Sequence, residues 1–265
     1  MYGWIRKTFL RGKTNASKVL GDDIMKLFFT TYAGGSASYF NKLAAILAND
    51  CECVLIEYAG HSTRSREPFY NSFDDMVEDI VRIMEGHLTP NEPFCIFGYS
   101  MGALVAYEAL MKPVSRGVCK HLFVAAHYPP ASLMPHVKYS ELPDKTLSAE
   151  MQKYGGLDKR IIENKRFLNI YLGIIRSDYR LLEDYIFHKE TTQLSCGITV
   201  FYSEEDTPYK VMRNWENYSF KETIFHRYEG SHFFLRNQEQ EIADDIRNIL
   251  QDNNGPVSHI EHPLK

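Results

Sequence analysis

The fold of this 265-residue chain is decided by Phe94-Cys95-Ile96-Phe97-Gly98-Tyr99-Ser100-Met101-Gly102-Ala103. The four apolar residues at its start predict a buried strand, and the apolar stripe and helix formers of residues 103–110 predict a helix after it. Between them, residues 98–102 match the pattern G-x-S-x-G. A strand, this pattern and a helix in that order are typical of a strained turn that lifts a serine hydroxyl above a sheet. We therefore interpret Ser100 as a nucleophile rather than as a serine in a chance glycine-containing loop.

Strands and helices alternate on both sides of this stretch. The apolar runs predict further strands at residues 24–32, 51–58, 121–126, 197–202 and 223–228. Helical spacing of apolar residues predicts helices at residues 36–49, 73–84, 208–218 and 238–251. This alternation indicates the α/β class, with a mostly parallel central sheet and helices on both faces.

One segment interrupts the alternation. Residues 128–189 are rich in helix formers and prolines and carry no strand signal, which predicts a helical insertion that forms a lid. We expect a single domain over residues 24–252 that contains this insertion. Residues 1–23 are predicted to be a basic N-terminal extension, and residues 253–265 a polar C-terminal tail.

Composition excludes several classes of function. The net charge of −4, without a basic cluster interleaved with aromatic residues, argues against a nucleic-acid partner. No apolar run approaches the ~20 residues that cross a bilayer, so we expect no membrane association. The five cysteines show no C-x-x-C spacing, which favours core thiols in a reducing, cytoplasmic setting and gives no sign of a metal site. No cofactor is expected.

A nucleophilic serine needs a base, and His232 is the best candidate. It lies in Glu229-Gly230-Ser231-His232-Phe233-Phe234, after the last predicted strand and before the last helix. Gly230 permits the loop to return towards the serine turn. The chain order of serine, acid and then histidine is the order found in α/β-hydrolases.

The acid is expected after the penultimate strand, where Glu204, Glu205 and Asp206 follow one another. We favour Asp206 because it stands before a helix start, which Thr207 can cap and Pro208 can open. Glu205 remains the alternative.

Two backbone N–H groups are expected to bind the oxyanion. One is that of Met101, next to the nucleophile, and the other is that of Ala33, in the glycine-rich loop after the first strand. A simple turn is the alternative interpretation of that loop.

Taken together, these motifs resemble the type II, stand-alone editing thioesterases of nonribosomal peptide and polyketide synthesis. The likeness spans about residues 27–235 and includes Y-A-G-G-S-A-S at 32–38, G-Y-S-M-G-A at 98–103, H-L-F-V at 121–124, L-P-D at 142–144, R-S-D-Y at 176–179 and G-S-H-F-F-L at 230–235. The resemblance implies hydrolysis of acyl groups from the phosphopantetheine arm of acyl or peptidyl carrier proteins. It also implies a catalytic triad of Ser100, Asp206 and His232, and no metal or redox cofactor.

Two positions depart from that family's pattern. Tyr99 stands where the family usually has histidine, and Ala59-Gly60-His61 stands where it usually has P-G-R. Both lie near the expected pocket and leave the acyl preference open. We interpret His61 as a loop residue rather than a catalytic one.

Three other interpretations remain. The same triad would serve a small-molecule carboxylesterase or a general acyl-CoA thioesterase, and the fold alone would serve a non-catalytic binding protein.

The apolar segment Phe167 to Ile175 carries more apolar side chains than one buried stripe requires. These side chains either pack on the core or line an acyl pocket whose rim receives the carrier protein.

Overall fold

The computed structural model describes residues 24–113, 116–132, 137–157, 159–187 and 193–254. Six strands form one sheet in the order β2-β1-β3-β4-β5-β6, and every neighbouring pair is parallel. The strands are β1 Lys26–Thr30, β2 Glu52–Leu55, β3 Glu92–Tyr99, β4 Gly117–Ala125, β5 Gly197–Tyr202 and β6 Thr223–Arg227. Because all six are parallel, their carboxyl ends share one edge of the sheet, and the loops that follow them meet there.

Helices cover both faces of the sheet, as the alternation of elements predicts. They are α1 Asn41–Leu47, α2 Phe73–His87, α3 Met101–Met111, α4 Asp144–Lys153, α5 Lys159–Glu163, α6 Lys165–Asp184, α7 Tyr209–Met212 and α8 Glu239–Asn254. α1 and α8 pack together, and α2 packs with α3.

The strands alternate between these two layers, with Leu27 and Phe29 buried with α1 and α8 and Phe28 buried with α2 and α3. Successive strand residues point to opposite faces, so β1 is buried on both sides.

The described part of residues 128–189 is helical. It contains a 3₁₀ turn at Tyr139–Glu141 followed by α4, α5 and α6, and no strand. These helices bury a small apolar cluster of their own, made of Leu147, Met151, Leu157, Leu172 and Ile175. Residues 1–23 and 255–265 lie outside the described residues, so the extension and most of the tail stay predictions.

Several predicted elements have other bounds in the structure. The helix predicted over residues 36–49 is a 3₁₀ helix, Ala37–Phe40, followed by α1, and β4 begins four residues before its predicted start. β2 ends at Leu55 rather than at residue 58, because it is the edge strand and the chain turns away into a loop closed by the hydrogen bond from Gly60 N to Arg64 O. The helix predicted over residues 208–218 is the single turn α7 followed by a 3₁₀ helix, Arg213–Tyr218. The buried residues Met212, Trp215 and Tyr218 recur every three positions, which matches the three-residue period of a 3₁₀ helix.

Candidate active site

The turn between β3 and α3 places Ser100 in a strained conformation, with φ 53° and ψ −124°. Its N–H donates to the Ala125 carbonyl at 2.8 Å, which anchors the turn to β4. A Cβ added at position 98 would lie 2.3 Å from the Gly102 carbonyl oxygen, and a Cβ added at position 102 would lie 2.2 Å from the Thr30 carbonyl oxygen. Only glycine fits at Gly98 and Gly102, so the serine is held by backbone contacts on both sides.

Three predicted site residues form one hydrogen-bonded chain at the carboxyl edge of the sheet. His232 Nε2 lies 2.9 Å from Ser100 Oγ, and His232 Nδ1 lies 2.9 Å from Asp206 Oδ1. The carboxylate only accepts, so Nδ1 carries the proton and the Nε2 lone pair faces the serine hydroxyl. In this tautomer His232 can take a proton from Ser100. The alternative acid Glu205 is exposed, as is Glu204.

The loop that carries Asp206 is tied to the loop that carries His232. The Ser203 hydroxyl donates to the Gly230 carbonyl, and the N–H groups of Asp206 and Thr207 both bond the Ser203 carbonyl, at 3.1 and 2.9 Å. These bonds fix the carboxylate relative to the imidazole.

The capping expected from Thr207 is wrong. Pro208 is the N-cap residue of α7 and makes no side-chain cap. The Tyr209 N–H is instead bonded by the Glu204 carboxylate at 3.1 Å. Because α7 begins at Tyr209, Thr207 stands one position before the N-cap residue rather than at it.

The glycine-rich loop after β1 forms a turn in which Gly35 N donates to the Tyr32 carbonyl at 2.9 Å. Ala33 is the second residue of this turn and lines the same cavity as Ser100. Met101 is the first residue of α3, directly after the serine. The two residues predicted to supply N–H donors thus lie near the nucleophile, one in the loop after β1 and one at the start of α3.

A cavity of about 420 Å³ opens over these groups. Its floor contains Ser100, Asp206 and His232, and much of its wall comes from the insertion. Seven aromatic rings line it: Tyr32, Tyr128, Tyr139, Tyr154, Tyr171, Tyr179 and Phe233. A largely aromatic enclosure of this size suits a small apolar ligand, with a few polar groups at one end.

Comparison with known proteins assigns the chain to a protein family. The thioesterase-domain family model matches residues 25–250. The chain belongs to the thioesterase family. It is 29% identical to thioesterase PikA5 of Streptomyces venezuelae over 244 residues, which cover 90% of this chain and 86% of that protein.

Solved structures agree with this assignment. ClbQ from the colibactin NRPS/PKS pathway superimposes with a TM-score of 0.81 at 26% identity, over 87% of this chain and 98% of that one. The type II thioesterase BorB from the borrelidin biosynthetic cluster shares the fold with a TM-score of 0.77 at 24% identity, over 86% and 93% of the two chains. The predicted α/β-hydrolase fold and the resemblance to type II thioesterases are confirmed.

Two other side chains shape the electrostatics of this thioesterase's cavity. Burial lowers the pKa of His127 to about 4, so its imidazole is neutral at pH 7 and adds no charge beside His232. Burial also raises the pKa of Tyr128 to about 12, so its hydroxyl stays protonated. Besides Asp206 and the histidines, the cavity lining contains one basic and one acidic side chain, Lys138 and Glu183.

Sequence reasoning missed two features of the thioesterase site. The Tyr99 hydroxyl donates to the His232 backbone carbonyl at 2.7 Å, so the departure from the family pattern contacts the loop of the base. His61 lies in a loop, as expected, but it is buried and its Nε2 lies 2.9 Å from Asp178 Oδ2 on α6. The R-S-D-Y motif contains Asp178, and that motif was the only signal in the sequence that could have drawn attention to it.

None of the helices in the described ranges has the length and apolar character needed to cross a membrane. Within the same ranges, no group of three or more His, Cys, Asp or Glu side chains is placed to hold a metal ion. All five cysteines are free thiols.

Proposed function

We propose that this thioesterase is a serine hydrolase that removes acyl groups from the phosphopantetheine arm of acyl or peptidyl carrier proteins. Ser100 is the nucleophile, His232 the general base and Asp206 the acid that orients it. The observation that carries the proposal is the pair of 2.9 Å contacts from His232 to Ser100 and Asp206, on the floor of an aromatic cavity, in a chain of the thioesterase family.

The reaction follows from this geometry in two halves. Ser100 Oγ attacks the thioester carbonyl carbon while His232 Nε2 takes its proton, and the carbonyl oxygen becomes an oxyanion. The N–H groups of Met101 and Ala33 bind that oxyanion. The intermediate collapses, the C–S bond breaks, and His232 returns the proton to the departing thiolate. Water, deprotonated by His232, then releases the acid and restores Ser100.

Residues 128–189 act as a lid in this proposal. On α6, Tyr171, Ile175, Tyr179 and Leu182 line the cavity and would contact the acyl group. Near the start of α6, Phe167 and Ile170 are exposed, with 57% and 53% of their surface open to solvent. Two large apolar side chains one turn apart on an exposed helix are unusual on a surface without a partner, and they suit a carrier protein at the rim.

The names of related proteins support this class of substrate. ClbQ belongs to a pathway described as nonribosomal peptide and polyketide synthesis, and a further relative is the gramicidin S biosynthesis protein GrsT of Aneurinibacillus migulanus. In such pathways the acyl group is carried as a thioester, and a largely aromatic cavity beside the serine fits a range of short acyl groups.

The test compares one short acyl group on a carrier protein and on coenzyme A. The reacting bond is the same in both, so any difference in kcat/KM must come from contacts remote from the thioester. We expect a higher kcat/KM for the carrier-bound acyl group, because the carrier protein adds such contacts. Phe167→Ser with Ile170→Ser should remove most of this difference and leave the coenzyme A reaction unchanged. Phe220→Ser is the matched control, because Phe220 is 74% exposed and precedes β6. It therefore lies at the amino ends of the strands, whereas the cavity lies at their carboxyl ends.

Three results would contradict the proposal. Equal kcat/KM values, or a preference for coenzyme A, would favour a general acyl-CoA thioesterase. Faster turnover of simple aryl esters than of any thioester would favour a carboxylesterase. Absence of labelling by a serine-directed fluorophosphonate would favour a binding protein.

A further inference from the structure

The turn that carries Ala33 has a defined geometry. The hydrogen bond from Gly35 N to the Tyr32 carbonyl closes it, and Gly34 has φ +77°, which is the pattern of a type II turn. In a trans peptide the C=O and the N–H point in opposite directions. Because the Tyr32 carbonyl points into the turn, the Ala33 N–H of the same peptide is directed out of it.

A carboxylate from the insertion holds the central peptide of this turn. Asp178 Oδ2 accepts the Gly34 N–H at 2.6 Å, and Asp178 is 1% exposed. Type I and type II turns differ by a flip of this central peptide, so a partner on the Gly34 N–H selects one of them. Ile175, one turn earlier on α6, packs so closely that a Cβ at position 34 would lie 3.0 Å from its Cδ1.

His61 completes the arrangement. Its Nε2 lies 2.9 Å from the same Asp178 Oδ2, and its Nδ1 lies 3.0 Å from the Ala59 carbonyl. Both partners are acceptors when Asp178 is ionised, so both ring nitrogens carry protons and His61 is an imidazolium. Burial opposes that charge, but the hydrogen bond and charge of Asp178 outweigh it, aided by the Ala59 carbonyl and by Glu57, and raise the pKa of His61. A buried carboxylate needs such a partner to stay charged.

We infer that Asp178 is the positioning residue of the oxyanion hole, held in place by His61, and that it fixes the turn which aims the Ala33 N–H at the substrate carbonyl. The inference rests on the proposed function, in which Ala33 supplies one of the two donors. It also gives the insertion a second role, since α6 both walls the acyl cavity and sets the geometry of the catalytic turn.

This role predicts a specific kinetic pattern. An oxyanion donor acts on charge that develops in the transition state, so misplacing it should lower kcat and leave KM unchanged. Loss of one such donor costs about 10²–10³-fold in kcat, and a turn that is loosened rather than deleted should cost about 10–100-fold.

The experiment uses the full-length chain with an acyl-coenzyme A substrate. The double variant His61→Leu/Asp178→Leu replaces the buried pair by apolar side chains of similar size, which proteins often tolerate. We expect its kcat to fall about 10–100-fold with KM within about twofold of the wild type. A trifluoromethyl ketone analogue, which adds to Ser100 and forms an oxyanion, should lose affinity by the same factor.

Further variants keep the test decisive. Asp178→Asn keeps the shape of the side chain, so it should fold even if the double variant does not, and its kcat and ketone affinity should fall together by a smaller factor. Asp184→Ala, an exposed aspartate on the same helix, should behave as the wild type. Wild-type kcat and ketone affinity in a folded double variant, or in Asp178→Asn, would overturn the inference, as would a raised KM with unchanged kcat.

Ser100→Ala separates this inference from the proposed function. If Ser100→Ala is inactive while the Asp178 variants keep wild-type kcat, only the positioning role fails. If Ser100→Ala turns over at the wild-type rate, the serine mechanism fails and the inference falls with it.

Discussion

The Tyr99 hydroxyl offers a sharp test of how the base is held. Tyr99 is fully buried before the nucleophile and donates to the His232 carbonyl at 2.7 Å. Tyr99→Phe removes one oxygen atom and leaves that carbonyl without its donor, which costs about 1–3 kcal/mol. Since about 1.4 kcal/mol is a factor of ten in rate, the loss in kcat is bounded near 100-fold. Asp206 still holds the imidazole at 2.9 Å, so we expect about a tenfold loss.

The assay combines steady-state hydrolysis of an acyl thioester with unfolding in urea. Tyr99→Phe should lower both kcat and the free energy of unfolding, with KM unchanged. Tyr209→Phe is the control for the same chemical change on a partly exposed ring and should alter neither quantity. Wild-type kcat together with wild-type stability in Tyr99→Phe would show that this hydrogen bond does not position the loop of His232.

Three further outcomes are expected. Asp206→Asn should lower kcat by orders of magnitude because His232 loses the partner that fixes its tautomer and its counter-charge, whereas Glu205→Gln should lower kcat only slightly. Steady-state kinetics showing the reverse ranking would move the acid to Glu205. Gly102→Ala should abolish soluble expression or activity, because the added Cβ would lie 2.2 Å from a β1 carbonyl oxygen. In the control Gly173→Ala, the added Cβ would meet no neighbouring atom within 4 Å and should not destabilise the fold. An active, stable Gly102→Ala protein would contradict the packing described. Burial lowers the pKa of His121 from 6.5 to about 4, so between pH 6.5 and pH 4 the imidazole is protonated in the unfolded chain but not in the folded one. The free energy of unfolding therefore falls as the pH drops through that window, and His121→Gln should remove about 3 kcal/mol of this fall in urea titrations. An unchanged pH dependence would argue against a neutral buried His121.

The sheet and the chain order of the site could be read from the sequence because their signals are local. The strand, the G-x-S-x-G pattern and the helix lie within twenty consecutive residues, and Asp206 and His232 each follow a recognisable strand. A parallel sheet brings the carboxyl ends of its strands to one edge, so placing each residue after its strand was enough to bring Ser100, Asp206 and His232 together.

The rest depends on contacts between distant parts of the chain. His61 and Asp178 are 117 positions apart, and no periodicity or spacing connects a loop after β2 with a helix in the insertion. Tyr99 could be recognised as a departure from the family pattern, but its bond to His232 depends on the path of a loop 133 residues later. The 3₁₀ geometry after α7 likewise follows from where Trp215 is buried, which tertiary packing decides.

The turnover of Ser100→Ala and His232→Ala tests the central claim most directly. With an acyl thioester of a carrier protein as substrate, each purified variant should lose at least ~10³-fold in kcat, because the attack step lacks its nucleophile or its base. Circular dichroism and urea unfolding should match the wild type, since both side chains are partly exposed at the cavity and neither is part of the core. Wild-type turnover in either folded variant would contradict the assignment of this thioesterase as a serine hydrolase.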